Sequence, residues 1–298
     1  PIPIAVVPFA FEGSGVLSED VAQIVMNDLE QVGEFRTLPR SNMLSMPSEE
    51  QEVFYRDWGI LAQDYLLVGN ITRTTGSQLV QVQYEFFDIN REIKLAGEVL
   101  TGSVAQLRDI GHEISNVVFE QVTGTRGAFT TQILYVVADF ISPELTNFRL
   151  EKSDYDGNRA QVLLESQEPI MSPSWSPSGE DVAYVSFETT LPRIYIQNIS
   201  TGLRRQITNF PNLNSSPEFS PDGTKLAMVL SKDGSPDIYV QDLVTNELTQ
   251  LTDHPLIDTE PSWTTDGRSI IFMSERSGQP QIYQIELGAP SYEVERLT

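Results

Sequence analysis

No cysteine occurs among the 298 residues. Disulfides, cysteine-ligated zinc and a thiol nucleophile are thereby excluded, and the fold tolerates either redox compartment. Histidine is nearly as scarce, with two copies. Basic residues are also few: 19 Lys and Arg stand against 42 Asp and Glu, a formal net charge of −23. Nucleic acid is bound by neutralising its phosphates, so it is no partner for such a chain, and an anionic membrane surface repels it. Long apolar runs are missing too. The longest, "ILYVVADFI" at 133–141, has the length of a strand, carries Asp139 and falls well short of the ~18 residues of a membrane span. No Gly-x-Ser-x-Gly elbow, Walker loop or Rossmann glycine pattern occurs. The chain opens at Pro1 with no Met, basic region or apolar signal segment, and the expectation is that any targeting signal has already been removed.

What is present has two grammars. Residues 1–129 read as a mixed α/β domain. "IPIAVVPF" is a buried-type strand. In the helix that follows, Ser18 is the expected N-cap, and Val21, Ile24, Val25, Asp28 and Leu29 share one stripe that is apolar except for Asp28. "EEQEVFYRDWGILA" is predicted as a second helix. "DYLLVGNITRT", "SQLVQVQYEFFDI" and "REIKLAGEVLTG" are strands, and a last helix runs from the cap Ser103 to Gly124. His112 lies within that helix and is expected at its surface or half-buried; His254 is expected to make a local hydrogen bond.

Residues 130–298 are governed by a repeat. Gly179, Gly223 and Gly267 are 44 residues apart, as are Trp175, Phe219 and Trp263, and again Tyr195, Tyr239 and Tyr283. A period of about 40–45 residues with four short strands per unit is that of an all-β propeller. In Ser220-Pro221-Asp222-Gly223, Pro presets φ and Gly accepts positive φ at the exit. The aromatic ahead of each such turn is expected to pack between neighbouring blades, and the three tyrosines to be packing residues. Three units are full. The first, built on 133–140, 146–154 and 160–166, lacks its innermost strand, and the chain stops at a fourth-strand motif, "VERLT". An open stack exposes sheet edges, so further blades and a closing strand are expected beyond Thr298.

The strings "TGTRGAFTTQILYVVAD", "SPSWSPSGEDVAYVSFE", "SPEFSPDGTKLAMVLSKDGSPDIYVQDL" and "LIDTEPSWTTDGRSIIFMSERSGQPQIYQIEL", with "PIPIAVVPF" and "LLVGNITRT" ahead of them, closely resemble the TolB family of the Gram-negative Tol–Pal system. The resemblance runs over essentially the whole chain. It implies a two-domain protein, an N-terminal α/β domain followed by a propeller that is six-bladed in the family, with about four blades in this chain. It implies a periplasmic, non-enzymatic monomer that binds the lipoprotein Pal and communicates with TolA. Such a protein supports outer-membrane integrity and cell division, meets the membrane only through partners, and is exploited by some colicins during import. In that family Pal docks on the loops leading into each blade's first strand. Here these are 169–173, 212–217 and 256–261, which make Met171, Ser172, Leu213, Ser216, Asp258, Thr259 and Glu260 the expected partner contacts.

Asp258 and Glu260, with Glu218 one blade earlier, could ring the channel mouth in carboxylates. That suits a basic patch on the partner or, as the minority reading, a Ca²⁺ ion; Glu218 itself is expected to be solvated loop acid. No other cofactor is expected. The competing readings are the propeller of a serine peptidase, which wants a nucleophile elbow the chain lacks, and a small-molecule-binding propeller, which wants aromatic side chains in those loops. An interface of standard size, ~1,600 Å², spreads over more blades than these, so the 298 residues alone are expected to bind Pal weakly.

Overall fold

The computed structural model describes residues 1–74, 76–142, 145–288 and 293–298. They form two compact units, Pro1–Thr131 with Asp154–Asp156, and Gln132–Ser153 with Gly157–Thr298. The first is α/β. Its elements are β1 (Ile2–Val6), β2 (Ala10–Glu12), α1 (Val21–Gln31), β3 (Phe35–Thr37), α2 (Tyr55–Ile60), β4 (Tyr65–Arg73), β5 (Leu79–Asp88), β6 (Ile93–Ser103) and α3 (Leu107–Thr123). The sheet order is β3-β1-β4-β5-β6, with β2 also on β4. Strands β1, β2 and β3 run parallel to their neighbours, while β4, β5 and β6 are antiparallel hairpins. The chain leaves β1 at Pro8 and re-pairs with β4 as β2. Gly69 permits the crossing: a Cβ there would stand 2.6 Å from both the Phe9 ring and the carbonyl oxygen of Gln83.

Both faces of this sheet are covered. Helices α1 and α3 seal one with Val21, Val25, Leu29, Leu107, Ile114 and Val118 against Ile4, Val6, Val82 and Phe86. On the other, Val53 and Trp58 pack on Ala5, Val7, Leu66, Val68 and Phe87. Three expectations need correction. Asp20, not Ser18, caps α1: its side chain accepts from the Gln23 N–H and also pairs with Arg40 at 2.8 Å. The predicted second helix is broken into a 3₁₀ turn at Glu50–Glu52 and the six-residue α2, because Val53 and Phe54 are extended and Val53 turns into the core. Ser103 caps, through a capping box with Gln106, the 3₁₀ turn Val104–Gln106 that runs into α3 and not α3 itself, whose N-cap is Gln106; Gly124 closes α3 at φ 78°.

The second unit consists of four propeller-type sheets. The first holds three strands, β7 (Gln132–Ser142), β8 (Leu145–Asp154) and β9 (Gln161–Ser166); three sheets of four follow. These are β10 (Ile170–Trp175) to β13 (Arg204–Gln206) with β11 (Asp181–Thr189) and β12 (Leu191–Asn198) between, then β14 (Asn214–Phe219), β15 (Lys225–Leu230), β16 (Asp237–Asp242) and β17 (Leu248–Gln250). The last contains β18 (Asp258–Trp263), β19 (Ser269–Ser274), β20 (Gln281–Glu286) and β21 (Val294–Arg296). Each of the three four-stranded blades is a meander of sequential antiparallel pairs.

The apolar cores lie between blades. Phe219, Met228 and Tyr239 of the third sheet pack with Ala183, Val185, Ile194 and Ile196 of the second. The opposite face of the third sheet, Ala227, Val229, Ile238 and Val240, packs with Ile270, Phe272, Tyr283 and Ile285 of the fourth. Strand alternation thus splits β16 as its period of two demands. Tyr195, Tyr239 and Tyr283 are 6%, 2% and 5% exposed, which makes them packing residues.

Candidate partner-binding face at the head of the blades

The innermost strands β10, β14 and β18 begin with the loops that the sequence marks as a binding face. Each carries one irregularity at the same point. The pairing register shifts between Met171 and Ser174, between Ser215 and Glu218, and between Thr259 and Ser262. At each shift one non-glycine residue adopts the left-handed conformation: Ser172 at φ 48°, Ser216 at φ 48° and Glu260 at φ 53°. Such bulges bend the strand and re-aim its side chains. The residue after each is proline: Pro173, Pro217 and Pro261. Met171, Ser172 and Glu260 are exposed, Ser216 and Thr259 half-buried. Ser216 Oγ donates to Glu260 Oε1 at 3.3 Å, which ties two neighbouring bulges together.

Two expected contacts lie elsewhere. Asp258 is 0% exposed, and Arg276 Nη2 pairs with its Oδ2 at 2.8 Å. Arg276 is held in turn by Ser274 Oγ and stacks over Phe272 and Tyr283. Asp258 therefore belongs to the interior of its blade, where burial of a carboxylate requires such a partner. Leu213 is half-buried and packs on the core between the third and fourth sheets. Glu218 also departs from expectation. It is half-buried at the level of Ser174, whose Oγ donates to its Oε2 at 2.9 Å, and Trp263 Nε1 donates to its backbone oxygen at 3.1 Å. Burial pushes its carboxyl above the usual range, and the Ser174 hydrogen bond only partly offsets this. Asp258, Glu218 and Glu260 are thus not brought together as a ring of free carboxylates.

A second constellation sits in the first unit. Asp28, the acid on the apolar stripe of α1, is 1% exposed and accepts from Ser115 Oγ at 2.6 Å and Tyr155 Oη at 2.6 Å. His112 is 2% exposed rather than superficial, with Nδ1 at 2.8 Å from Asp28 Oδ2 and Nε2 at 3.9 Å from Asp156. Arg108 binds Asp156 and stands 3.5 Å from Asp154. Burial and the Asp28 carboxylate drive the Tyr155 phenol far above its ordinary range. Asp28, His112 and Asp156 are the one metal-like grouping among the described residues. Three hydrogen-bond partners, Ser115, Tyr155 and His112, meet at Asp28, and the Arg108 guanidinium pairs with Asp156. The signal for it was Asp28 itself, a carboxylate where the helix period calls for an apolar residue. His254, by contrast, makes the local bond expected of it, accepting at Nδ1 from the Leu256 N–H at 3.1 Å.

The family model described as the TolB amino-terminal domain matches residues 1–95, and the one described as the TolB beta propeller domain matches residues 119–298. The chain belongs to the TolB family. The "Tol-Pal system protein TolB" of Pseudomonas aeruginosa is 50% identical over 215 residues, covering 72% of this chain and 49% of the relative. Its counterpart in Pseudomonas putida is 50% identical over 218 residues, with the same shares. The crystal structure of TolB from Acinetobacter baumannii superposes with a TM-score of 0.89 at 36% identity, covering 100% of this chain and 71% of that one. The chain spans about half the length of the curated TolB relatives it matches. All three bulges, with Met171, Ser172, Ser216, Thr259 and Glu260, fall inside the matched TolB propeller region, and Asp28 falls inside the matched amino-terminal one. Among the described residues no helix is long and apolar enough to cross a membrane.

Proposed function

We propose that this chain is a periplasmic protein–protein scaffold of the Tol–Pal system that binds the lipoprotein Pal at the head of its blades. On this reading it also communicates with TolA, supports outer-membrane integrity and division, and performs no catalysis. Family membership and the names of the relatives support the system. The observation that carries the site is the row of bulges, which sets Met171 and Ser172, then Ser216, then Thr259 and Glu260 at the same register of three successive innermost strands. Such a row offers a protein partner a stiff, shallow, polar edge with one apolar side chain, Met171, 53% exposed. The acidic surface steers a basic partner toward it and raises the encounter rate more than the final affinity. Asp258 takes no direct part; it fixes the strand from inside.

Titration calorimetry of the complete gene product against the soluble domain of its cognate Pal tests this, alongside a Thr259→Ile, Glu260→Lys variant. Saturable binding that the variant loses is the expected result. Binding that persists undiminished in the variant moves the site away from this edge, and no binding by the folded protein removes the assignment to Pal.

A further inference from the structure

Within the same three blades, the chain meets the need for positive φ in two different ways. In the turn between its first and second strands each blade uses glycine: Gly179 at 72°, Gly223 at 71° and Gly267 at 69°. At the innermost bulges it never does. Ser172, Ser216 and Glu260 take φ of 48°, 48° and 53° with a Cβ attached. A left-handed L-residue is strained by about 1–3 kcal/mol. The proline that follows each one adds to this, because it pushes the preceding residue toward extended backbone. Packing gives no return for the strain at two of the three, since Ser172 and Glu260 are exposed. What holds the geometry is the residue after it: Pro217 and Pro261 are buried and Pro173 is half-buried. A glycine would remove the strain but would widen the accessible φ range at the same point.

We propose that Ser172, Ser216 and Glu260 are positioning residues, whose strained left-handed backbone keeps the head of each blade rigid in the shape the partner receives. The proposal rests on the reading that this edge binds Pal, and it deepens that reading by separating what holds the edge from what touches the partner. Strain at a binding edge is maintained because a rigid edge loses less conformational entropy when it is covered. Stability and affinity then move in opposite directions on substitution, which a purely structural bulge does not do.

The test is a Ser172→Gly, Ser216→Gly double variant of the complete gene product, read against a Ser172→Ala, Ser216→Ala pair that removes the same hydroxyls, including the Ser216 bond to Glu260, but keeps a Cβ at positive φ; the affinity lost beyond the alanine pair is the part due to the backbone. Calorimetry against the soluble Pal domain gives affinity, and a thermal melt gives Tm. Tm is expected to rise by about 2 °C or more per substitution while Kd weakens about tenfold for the pair, the equivalent of ordering one to two backbone residues on binding. The conservative pair Ser172→Asn, Ser216→Asn should restore most of the affinity, since asparagine tolerates the left-handed region without glycine's freedom. A glycine pair that binds as tightly as the parent overturns the proposal. So does a glycine pair whose Tm and affinity fall together, because the serines were then simply needed by the fold. If the parent protein itself binds no Pal, the functional reading has failed, and this proposal falls with it.

Discussion

At the scale of single residues, the side chains that matter are polar groups placed where water is short. Glu218 is half-buried beside Ser174, and burial raises its carboxyl above the usual range. The sign follows directly. A raised folded value means the native state favours the proton, so stability is undiminished below the unfolded value, near 4.5. It then declines as pH rises from there through the folded value. Glu218→Gln keeps an acceptor for Ser174 and removes the charge. It should raise Tm near pH 7 and leave it unchanged near pH 4, as calorimetric melts at the two pH values will show; an equal shift at both would contradict the account. Asp222 behaves oppositely. Hydrogen bonds from Ser220 Oγ and the Thr224 N–H hold it down to about 2. Its contribution is therefore present above its ordinary value near 3.8 and is lost as pH falls toward 2. Whereas the partners of Asp222 are two residues away in its own turn, the environment of Glu218 is not readable from the chain, because Ser174 lies 44 residues before it. For the same reason Asp258, in a loop motif that reads as exposed, is claimed by Arg276, 18 residues later. Asp28 could be noticed as an oddity, but its partner Tyr155 is 127 residues away.

At the scale of elements, the sequence is at its most legible where a local rule has one solution. The 44-residue period gave the blades, because turn, strand and aromatic recur together. It also placed Gly223 at the exit of a turn closed by the Gly223 N–H to the Ser220 oxygen at 2.8 Å. The nearest atom to a Cβ built there, Pro177 Cδ, is 3.7 Å away, so space is not limiting and backbone strain alone acts. Gly223→Ala should therefore destabilise by about 1 kcal/mol, measured by urea unfolding. A loss several times larger would point instead to a clash across the blade boundary. Where two local solutions compete, the reading fails. Ser18 and Asp20 are both good caps, and Asp20 prevails because it also reaches Arg40. The segment before α2 has helical composition, yet Val53 is drawn extended into the sheet's second face. The bulges were not legible at all. Their residues are marked by position in the repeat, but nothing in Ser-Pro, Ser-Pro and Glu-Pro announces positive φ.

At the scale of the whole molecule, the charge of −23 is the dominant bulk property. Like charges repel across the folded surface, and dissolved salt screens them over about 30 Å at 0.01 M but only about 8 Å at 0.15 M. Tm should accordingly rise by a few degrees between those salt concentrations, as followed by circular dichroism, and a fall would mean that the scattered ion pairs outweigh the repulsion. A second property follows from where the cores lie. No blade owns its apolar core: the two faces of β15 and β16 belong to different clusters, one shared with the sheet before and one with the sheet after. The propeller is thus thermodynamically a row of couplings, in which each sheet is stable to the extent that its neighbours are. Damage deep in one blade is then felt in the next as lost cohesion.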